Sequence, residues 1–151
     1  MTKEILDSTN NTQSLYSSRI LIIQTIYSFD ILDNKKDIKQ ISSDYINYYT
    51  SKYPNKKLHV EFYEDLINFI IHNISNIDNK IHSNLEKNWK LERLPKLVLS
   101  ILRSGIGELL HVNNSNVAVI INDYLQITKS FNHLEELGFI NSILDKIVNK
   151  N

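Results

Sequence analysis

The 151-residue chain has no cysteine, three glycines and two prolines. Without cysteine there can be no disulfide, thiolate metal ligand or cysteine nucleophile. So little glycine and proline disfavours the short turns that strand-rich folds need, and favours helices. The first residues lack the apolar core of a signal peptide, and no later apolar run approaches the ~18 residues of a membrane span. We therefore expect a cytoplasmic protein without a membrane segment.

Net charge is also lacking, because 17 basic residues balance 17 acidic ones. The chain as a whole carries no field that indicates a nucleic acid or a membrane as partner, so any such site must be local. The hydrophobic fraction of 42% is typical of a folded globular protein. The length fits one compact domain.

Apolar residues recur at helical spacing along most of the chain and predict about seven helices, with no strand and no repeat. A broad apolar stripe from Tyr16 to Phe29 predicts a central first helix, whereas polar, aperiodic residues 1–13 predict a flexible arm. Pro95 fits the first turn of a long buried helix, in which Gly105 and Gly107 indicate close approach of a neighbouring helix.

Helix boundaries follow from breakers and caps in the sequence. The second helix runs from Ile38 to the Tyr53-Pro54 pair, after a loop at residues 33–37. The third starts near Leu58, with a break expected at Asp78-Asn79 if it is two helices. Ser115 is a candidate cap of the next helix, which ends at residues 131–133, and the last helix begins near residues 134–136. A division near residues 86–93 separates halves that we expect to form one fused body.

Catalytic patterns are missing from the sequence. The five histidines have no metal-ligand spacing, and the paired carboxylates Glu135 and Glu136 fit a helix start. There is no glycine-rich phosphate loop and no nucleophile elbow. We therefore expect neither an enzyme nor a metal or cofactor site.

Arg103 stands in the middle of the most apolar helix, where a guanidinium needs a partner. We favour an internal ion pair with Asp123 on the next helix, with Glu108 as another candidate partner. The alternative is an exposed phosphate contact.

The second helix is bracketed by six lysines against only two aspartates, and it also carries several tyrosines. Most such clusters are solvated surface, and the spacing of Tyr45 and Tyr48 favours a core position for both. The functional alternative is a mixed cationic and aromatic surface of the kind that single-stranded RNA prefers.

Three segments resemble the NusB family of transcription antitermination factors, from Arg19 to Lys146. RILIIQTIYSFD at Arg19 is similar to the family's first helix, and ILRSGIGELL at Ile101 is similar to its ILRxAxYEL helix. INDYLQITKSF at Ile121, followed by GFINSILDK at Gly138, is similar to the pattern INEAxELAKxF and KFVNGVLDK.

The resemblance implies an all-α fold of two fused three-helix bundles, here approximately residues 14–86 and 91–150 of one domain of residues 14–151. It also implies a function without catalysis. Family members bind boxA RNA in the leader of ribosomal RNA transcripts together with NusE, a small-subunit ribosomal protein. The complex joins RNA polymerase and promotes read-through of terminators. Family members differ in oligomeric state, so a homodimer remains open.

Site residues follow from the same resemblance. Tyr27 and Val98 correspond to NusE-contacting positions. The positions implied for RNA binding are Arg19, Lys129, Phe131, Glu135, Phe139, Asn141 and Lys146.

The chain also departs from the family pattern. Residues 13–18 replace several arginines that usually precede the first helix, which predicts weaker direct RNA binding. Val98 replaces a frequent acidic residue, Ser142 a glycine, and Gly138 a lysine. The alternative function is therefore a NusB-fold protein-interaction module that has lost direct RNA binding. For Asn141 we favour an interhelix hydrogen bond over contact with a ligand.

Overall fold

A computed structural model describes residues 2–32, 37–112 and 116–149, with only the backbone included for residues 2–11. Within these ranges the chain is helical and contains no strand, which confirms the all-α prediction. The described ranges contain seven α-helices and two short 3₁₀ helices, Leu91–Arg93 and Leu134–Glu136. The α-helices are α1 (Thr2–Ile31), α2 (Ile38–Lys52), α3 (Val60–His72), α4 (Ile74–Ser83), α5 (Lys96–His111), α6 (Val117–Ser130) and α7 (Leu137–Asn149).

The chain divides into two compact units, Met1–Ile67 and Asn68–Asn151. The boundary falls within α3, earlier than the division expected near residues 86–93. The reason is that α4 packs on α5, so it belongs with the second half of the chain.

The first helix is longer than the sequence predicts. It begins at Thr2, so the segment expected to be an irregular arm is helical from that residue onwards. Adding a residue to an existing helix fixes one residue and gains one hydrogen bond, whereas starting a helix is costly. With no glycine or proline in residues 1–13 to stop it, the helix of the apolar segment extends toward the N-terminus.

In the first unit, buried hydroxyl groups connect α1 to the start of α3. Thr25 and Tyr63 are both fully buried, and their hydroxyl oxygens lie 2.6 Å apart. The Ser18 hydroxyl accepts a hydrogen bond from the backbone N–H of His59 at 2.9 Å. Because a buried hydroxyl without a partner is costly, these bonds fix the rotation of α1 against the residues that follow α2.

The contact between α1 and α2 places two tyrosines differently from the prediction. Tyr45 is half-buried, and its hydroxyl lies 2.6 Å from that of Ser28. Tyr48 is 58% exposed, so its predicted core position is wrong. The two residues are three positions apart, about 300° around a helix, so the narrow apolar stripe of α2 covers Tyr45 but leaves Tyr48 at its edge.

In the second unit, α5 is the central element and packs against α4, α6 and α7. Its residues from Val98 to Glu108 are all buried, as predicted. A Cβ atom at Gly105 would lie 3.2 Å from a methyl group of Leu144, and one at Gly107 would lie 2.5 Å from Ile70. The predicted close approach of neighbouring helices at both glycines is confirmed.

Arg103 forms a two-bond ion pair with Asp78 of α4. Its Nε donates to one carboxylate oxygen at 2.8 Å and its Nη2 donates to the other at 2.9 Å. The internal ion pair expected for Arg103 is therefore present, with a partner that the sequence did not indicate. The pairing predicted with Asp123 stays a prediction, and Glu108 accepts a hydrogen bond from the Tyr124 hydroxyl at 2.9 Å.

Several boundaries differ from those predicted. The break between α3 and α4 lies at Asn73, five residues before the expected Asp78-Asn79, and the Asn73 side chain there donates to the Phe69 carbonyl at 2.9 Å. Pro95 directly precedes α5. Asn116 caps α6, since its side chain accepts from the Val119 N–H. Ser115, the predicted cap, and residues 33–36 of the predicted loop lie outside the described residues.

Candidate nucleic-acid interface

The end of α6 is fixed by a turn in which Asn132 has a positive φ of 62°. The Asn132 N–H donates to the Lys129 carbonyl at 2.9 Å, and the His133 N–H donates to the Thr128 carbonyl at 3.2 Å. This pair of bonds is the Schellman motif, and asparagine tolerates the left-handed conformation it requires. The turn ends α6 as predicted and directs the chain into the 3₁₀ helix that carries Glu135.

Helix α7 has a buried face and an exposed face. Ile140, Ile143, Leu144 and Ile147 are buried. Phe139 is half-buried, while Ser142 and Lys146 are exposed. Because residues three or four positions apart share a helix face, these three side chains form one strip along α7.

The connector before α5 supplies the opposing side chains. The N–H of Trp89 donates to the Glu86 carbonyl at 2.9 Å, and that of Arg93 donates to the Lys90 carbonyl at 3.0 Å. Leu94 is buried and anchors the segment. These turns present Trp89, which is 52% exposed, and Arg93 on the surface of the second unit.

The strip of α7 and this connector enclose a surface pocket of about 600 Å³, here called the α7 pocket. Its volume is typical of a ligand site. Its walls include the rings of Trp89 and Phe139 and the methylenes of Pro95. Its charged lining residues are Arg93, Lys146, Glu86, Glu135 and Glu136.

The electrostatics of the α7 pocket differ from those of a simple phosphate site. Two cations face three carboxylates, so the lining has no positive excess. Glu136 also lies 3.4 Å from the His133 ring nitrogen. The exposed ring of Trp89 and the half-buried ring of Phe139 lie beside mixed charges and suit stacking of unpaired bases. Arg93 and Lys146 are available for individual phosphates.

Of the residues predicted to bind RNA, the structure brings Glu135, Phe139 and Lys146 together in the α7 pocket. Lys129 is exposed and Phe131 half-buried at the end of α6, and neither lines the pocket. Asn141 is exposed on α7. The interhelix hydrogen bond that the sequence favoured for its amide stays a prediction.

Arg19 belongs to the first unit and is buried, with 6% of its surface exposed. Its guanidinium carbon lies 5.6 Å from the centre of the Phe62 ring, a cation–π distance. A phosphate group has little access to a guanidinium in this environment, so its burial is evidence against the predicted RNA contact.

The two residues predicted to contact NusE also differ in access. Tyr27 is half-buried on α1, which leaves part of its ring available to a partner. Val98 is fully buried at the start of α5, although it is among the residues that line the α7 pocket. A partner cannot touch the Val98 side chain in this conformation.

Sequence reasoning missed Trp89 and Arg93, which lie within the division expected near residues 86–93. The available signal was a tryptophan between two lysines in a polar segment, Lys87-Asn88-Trp89-Lys90. A large aromatic side chain outside every apolar helix stripe is not expected to be buried in the core. Such a side chain therefore indicates a candidate binding site on the surface.

The fold and the α7 pocket define an all-helical protein with an aromatic and charged surface pocket. The sequence model of the NusB family matches residues 16–149, and the chain belongs to that family. The transcription antitermination protein NusB of Rickettsia bellii is 33% identical over 150 residues, which cover 95% of this chain and 96% of the relative. This relative is a transcription antitermination protein and not an enzyme, and together with the family membership it confirms the prediction of a non-enzymatic protein.

Solved structures show the same fold. A structure of T. maritima NusB is 26% identical, with a TM-score of 0.76, and covers 90% of this chain and 91% of that one. A crystal structure of antitermination factors NusB and NusE in complex with dsRNA is 18% identical, with a TM-score of 0.76, and covers 91% of this chain and 98% of that one. At 18% identity, the similarity to this NusB structure shows only that the two chains share a fold.

Among the described residues, no three histidine, aspartate or glutamate side chains are grouped to hold a metal ion. No helix in the same part of the chain has the length and apolar character that crossing a bilayer requires.

Proposed function

We propose that this chain is a transcription antitermination factor that binds boxA-type leader RNA of ribosomal RNA transcripts together with NusE. The observation that carries the proposal is membership of the NusB family over residues 16–149, combined with the convergence of Glu135, Phe139 and Lys146 on one surface pocket. In this role the protein joins the antitermination complex of RNA polymerase. Bacterial transcripts are made in the cytoplasm, which is where we place the chain.

The α7 pocket supplies the direct RNA contacts in this proposal. Unpaired bases stack on Trp89 and Phe139, and Lys146 and Arg93 each contact a phosphate. Glu135 accepts hydrogen bonds from exocyclic amino groups of bases, because an ionised carboxylate is an acceptor only. Lys129 and Asn141 extend this contact outside the pocket, since both are exposed.

The partner NusE is expected to supply much of the affinity. Residues 13–18 contain no arginine, Arg19 is buried, and the α7 pocket has more carboxylates than cations. Phosphate contacts dominate the affinity of most nucleic-acid complexes, so the chain alone should bind RNA weakly. A related structure contains NusB and NusE in complex with dsRNA, and supports proposing NusE as the second component here.

The test is a gel shift with labelled boxA RNA, using the chain alone, NusE alone and both together. We expect a weak, salt-sensitive shift with the chain alone and a stronger complex with both proteins. A scrambled RNA of equal length is the control, and it should form at most a weak complex. Absence of any enhancement by NusE would count against the proposal.

A second function is favoured by the same charge pattern, namely a protein-interaction module without direct RNA binding. The burial of Arg19 and the carboxylates of the α7 pocket are the observations that favour it. In that case the chain binds NusE in the absence of RNA, and substitutions in the α7 pocket leave the RNA affinity of NusE unchanged. Ultraviolet crosslinking of the RNA to the chain within the complex distinguishes the two functions, because only the first predicts a crosslink.

A further inference from the structure

The first unit contains a groove between α1 and α2, here called the α2 groove, with a volume of about 330 Å³. The α1 side supplies small polar and aliphatic residues. The α2 side and the residues that follow it supply rings and ammonium groups. The lining residues of the two sides are Ser17, Ile20, Leu21 and Gln24 from α1, and Tyr48, Tyr49, Lys52, Tyr53 and Lys56 from the other side.

Rings and cations alternate along the second side. The Lys52 Nζ donates to the Tyr48 hydroxyl at 2.8 Å and lies 5.7 Å from the Tyr53 ring centre. The Lys56 Nζ lies 5.0 Å from the same ring centre. Tyr49 and Tyr53 are neighbouring rings, with centres 5.2 Å apart. The spacing of four residues between Tyr48 and Lys52, and between Tyr49 and Tyr53, places these groups next to one another on the helix surface.

Charge in the α2 groove has one sign, in contrast to the α7 pocket. Lys52 and Lys56 are its only charged lining residues in the described part of the chain. The hydrogen bond with Tyr48 raises the pKa of Lys52 above its ordinary value, so the ammonium is charged at neutral pH. Asp44, the carboxylate in the middle of α2, accepts a hydrogen bond from Gln40 one turn earlier and does not line the groove.

The exposed ring of Tyr48 contributes little to the stability of the fold. An i,i+4 pair of tyrosine and lysine on a solvated helix stabilises that helix only slightly. A tyrosine that is 58% exposed contributes little to a core. Together with Tyr49 and Tyr53 beside two ammonium groups, it forms the combination of stacking rings and positive charge that single-stranded nucleic acid uses.

We propose that the α2 groove is a binding site for single-stranded nucleic acid, in which bases stack on Tyr48 and Tyr53 while Lys52 and Lys56 contact phosphates. An ammonium group has three donors, so Lys52 can keep its bond to Tyr48 and still bind a phosphate oxygen. Stacking and phosphate contacts do not read base identity, so binding is expected to be largely independent of sequence. The site goes beyond the proposed function, because it lies in the first unit and needs neither boxA nor NusE.

The test uses the full chain and fluorescence anisotropy of a labelled oligouridylate at low salt, without NusE. Tyr48→Ala should weaken binding by about tenfold, because loss of one stacking ring typically costs that much or more. Tyr48→Phe keeps the ring and should bind within about twofold of the wild type. Lys52→Gln and Lys56→Gln should each lower the slope of log affinity against log salt by about 0.7. Because Tyr48, Lys52 and Lys56 are exposed, these variants should fold, which thermal unfolding checks.

Two controls decide whether the effect belongs to the groove. Lys39→Gln removes an exposed lysine of α2 that does not line the groove, and it should leave oligouridylate binding unchanged. Polyglutamate carries the charge without bases, so it should compete poorly. Equal competition by polyglutamate would indicate an acidic protein as the partner and contradict the proposal, as would wild-type affinity in Tyr48→Ala.

The outcome is separable from that of the boxA experiment. Groove-dependent oligouridylate binding in a chain that forms no complex with boxA RNA and NusE would support this inference and contradict the proposed function. A boxA complex with NusE in a chain that does not bind oligouridylate would contradict this inference alone.

Discussion

The guanidinium of Arg103 and the carboxylate of Asp78 meet through two hydrogen bonds, of 2.8 and 2.9 Å, that connect α5 to α4. The exposed fractions of the two side chains are 10% and 23%. The pair has the two-bond geometry in which arginine orients a carboxylate most strongly. This environment makes Arg103 a structural residue, and not the exposed phosphate contact that its sequence also allowed.

Replacing Asp78 by asparagine should therefore destabilise the fold. The change leaves the Arg103 charge in a mostly buried site without its carboxylate, which costs about 3–5 kcal/mol in a fully buried pair. Because Asp78 is partly exposed, we expect a loss of about 2 kcal/mol in the free energy of unfolding, measured by urea denaturation. The exposed Asp65→Asn is the matched control and should change stability by less than about 0.5 kcal/mol. Equal effects of the two substitutions would contradict a stabilising pair.

The three glycines should respond differently to alanine. At Gly107 the added Cβ lies 2.5 Å from Ile70, so Gly107→Ala should destabilise by about 1–3 kcal/mol despite the better helix propensity of alanine. At Gly105 the contact is 3.2 Å to a side-chain methyl group of Leu144, and we expect a change near zero.

At Gly138 no atom lies within 4 Å of the added Cβ, so Gly138→Ala should stabilise by up to about 1 kcal/mol. Thermal unfolding midpoints of the three variants give the order directly. A stabilised Gly107→Ala would show that α5 does not approach its neighbours as closely as the structure indicates.

Tyr63 should make stability depend on pH in the alkaline range. Burial raises the pKa of Tyr63 above its ordinary value of 10.0. The unfolded chain therefore releases this proton first, so the contribution of Tyr63 to the free energy of unfolding is complete below pH 10.0 and is lost as the pH rises through the folded pKa.

The measurement compares wild type with Tyr63→Phe at pH about 8 and about 10.5. At the lower pH the variant should be less stable by about 1 kcal/mol, because the hydrogen bond to Thr25 is lost. At the higher pH this difference should shrink. A difference between wild type and Tyr63→Phe that stays constant between the two pH values would refute the titration of Tyr63 as its cause.

Helices and core were predictable from the sequence because they depend on local spacing. Ile22, Ile23 and Ile26 of α1 are buried as their periodicity indicates. The same holds for the apolar residues of α5 from Val98 to Ile106, and for Ile140, Leu144 and Ile147 of α7. The close approach at Gly105 and Gly107 was also predictable, since glycine in a helix interior needs a packing reason. The extent of α1 was not predictable, because residues 2–13 have no apolar stripe and only extend toward the N-terminus the helix that the apolar stripe from Tyr16 predicts.

Relations between distant residues were not predictable. Asp78 lies 25 positions before Arg103 and looks like any polar residue of α4, so its role appears only when α4 packs on α5. Likewise the burial of Arg19 beside Phe62 depends on how the segment after α2 returns to α1. In the candidate site, the residues of α7 followed from a family resemblance, whereas Trp89 and Arg93 become part of it only through the fold.

We expect the α7 pocket to contact leader RNA when NusE is present. The most direct measurement is the affinity of boxA RNA for the chain saturated with NusE, as a function of salt, for wild type, Phe139→Leu and Lys146→Gln. Lys80→Gln, which does not line the pocket, is the charge-matched control.

We predict that Phe139→Leu weakens binding by roughly fivefold or more, because the stacking ring is lost. Lys146→Gln should lower the slope of log affinity against log salt by about 0.7 to 0.9, as expected for one phosphate contact. The control should match the wild type. Wild-type affinity and an unchanged salt slope in both pocket variants, with folding intact, would contradict the claim.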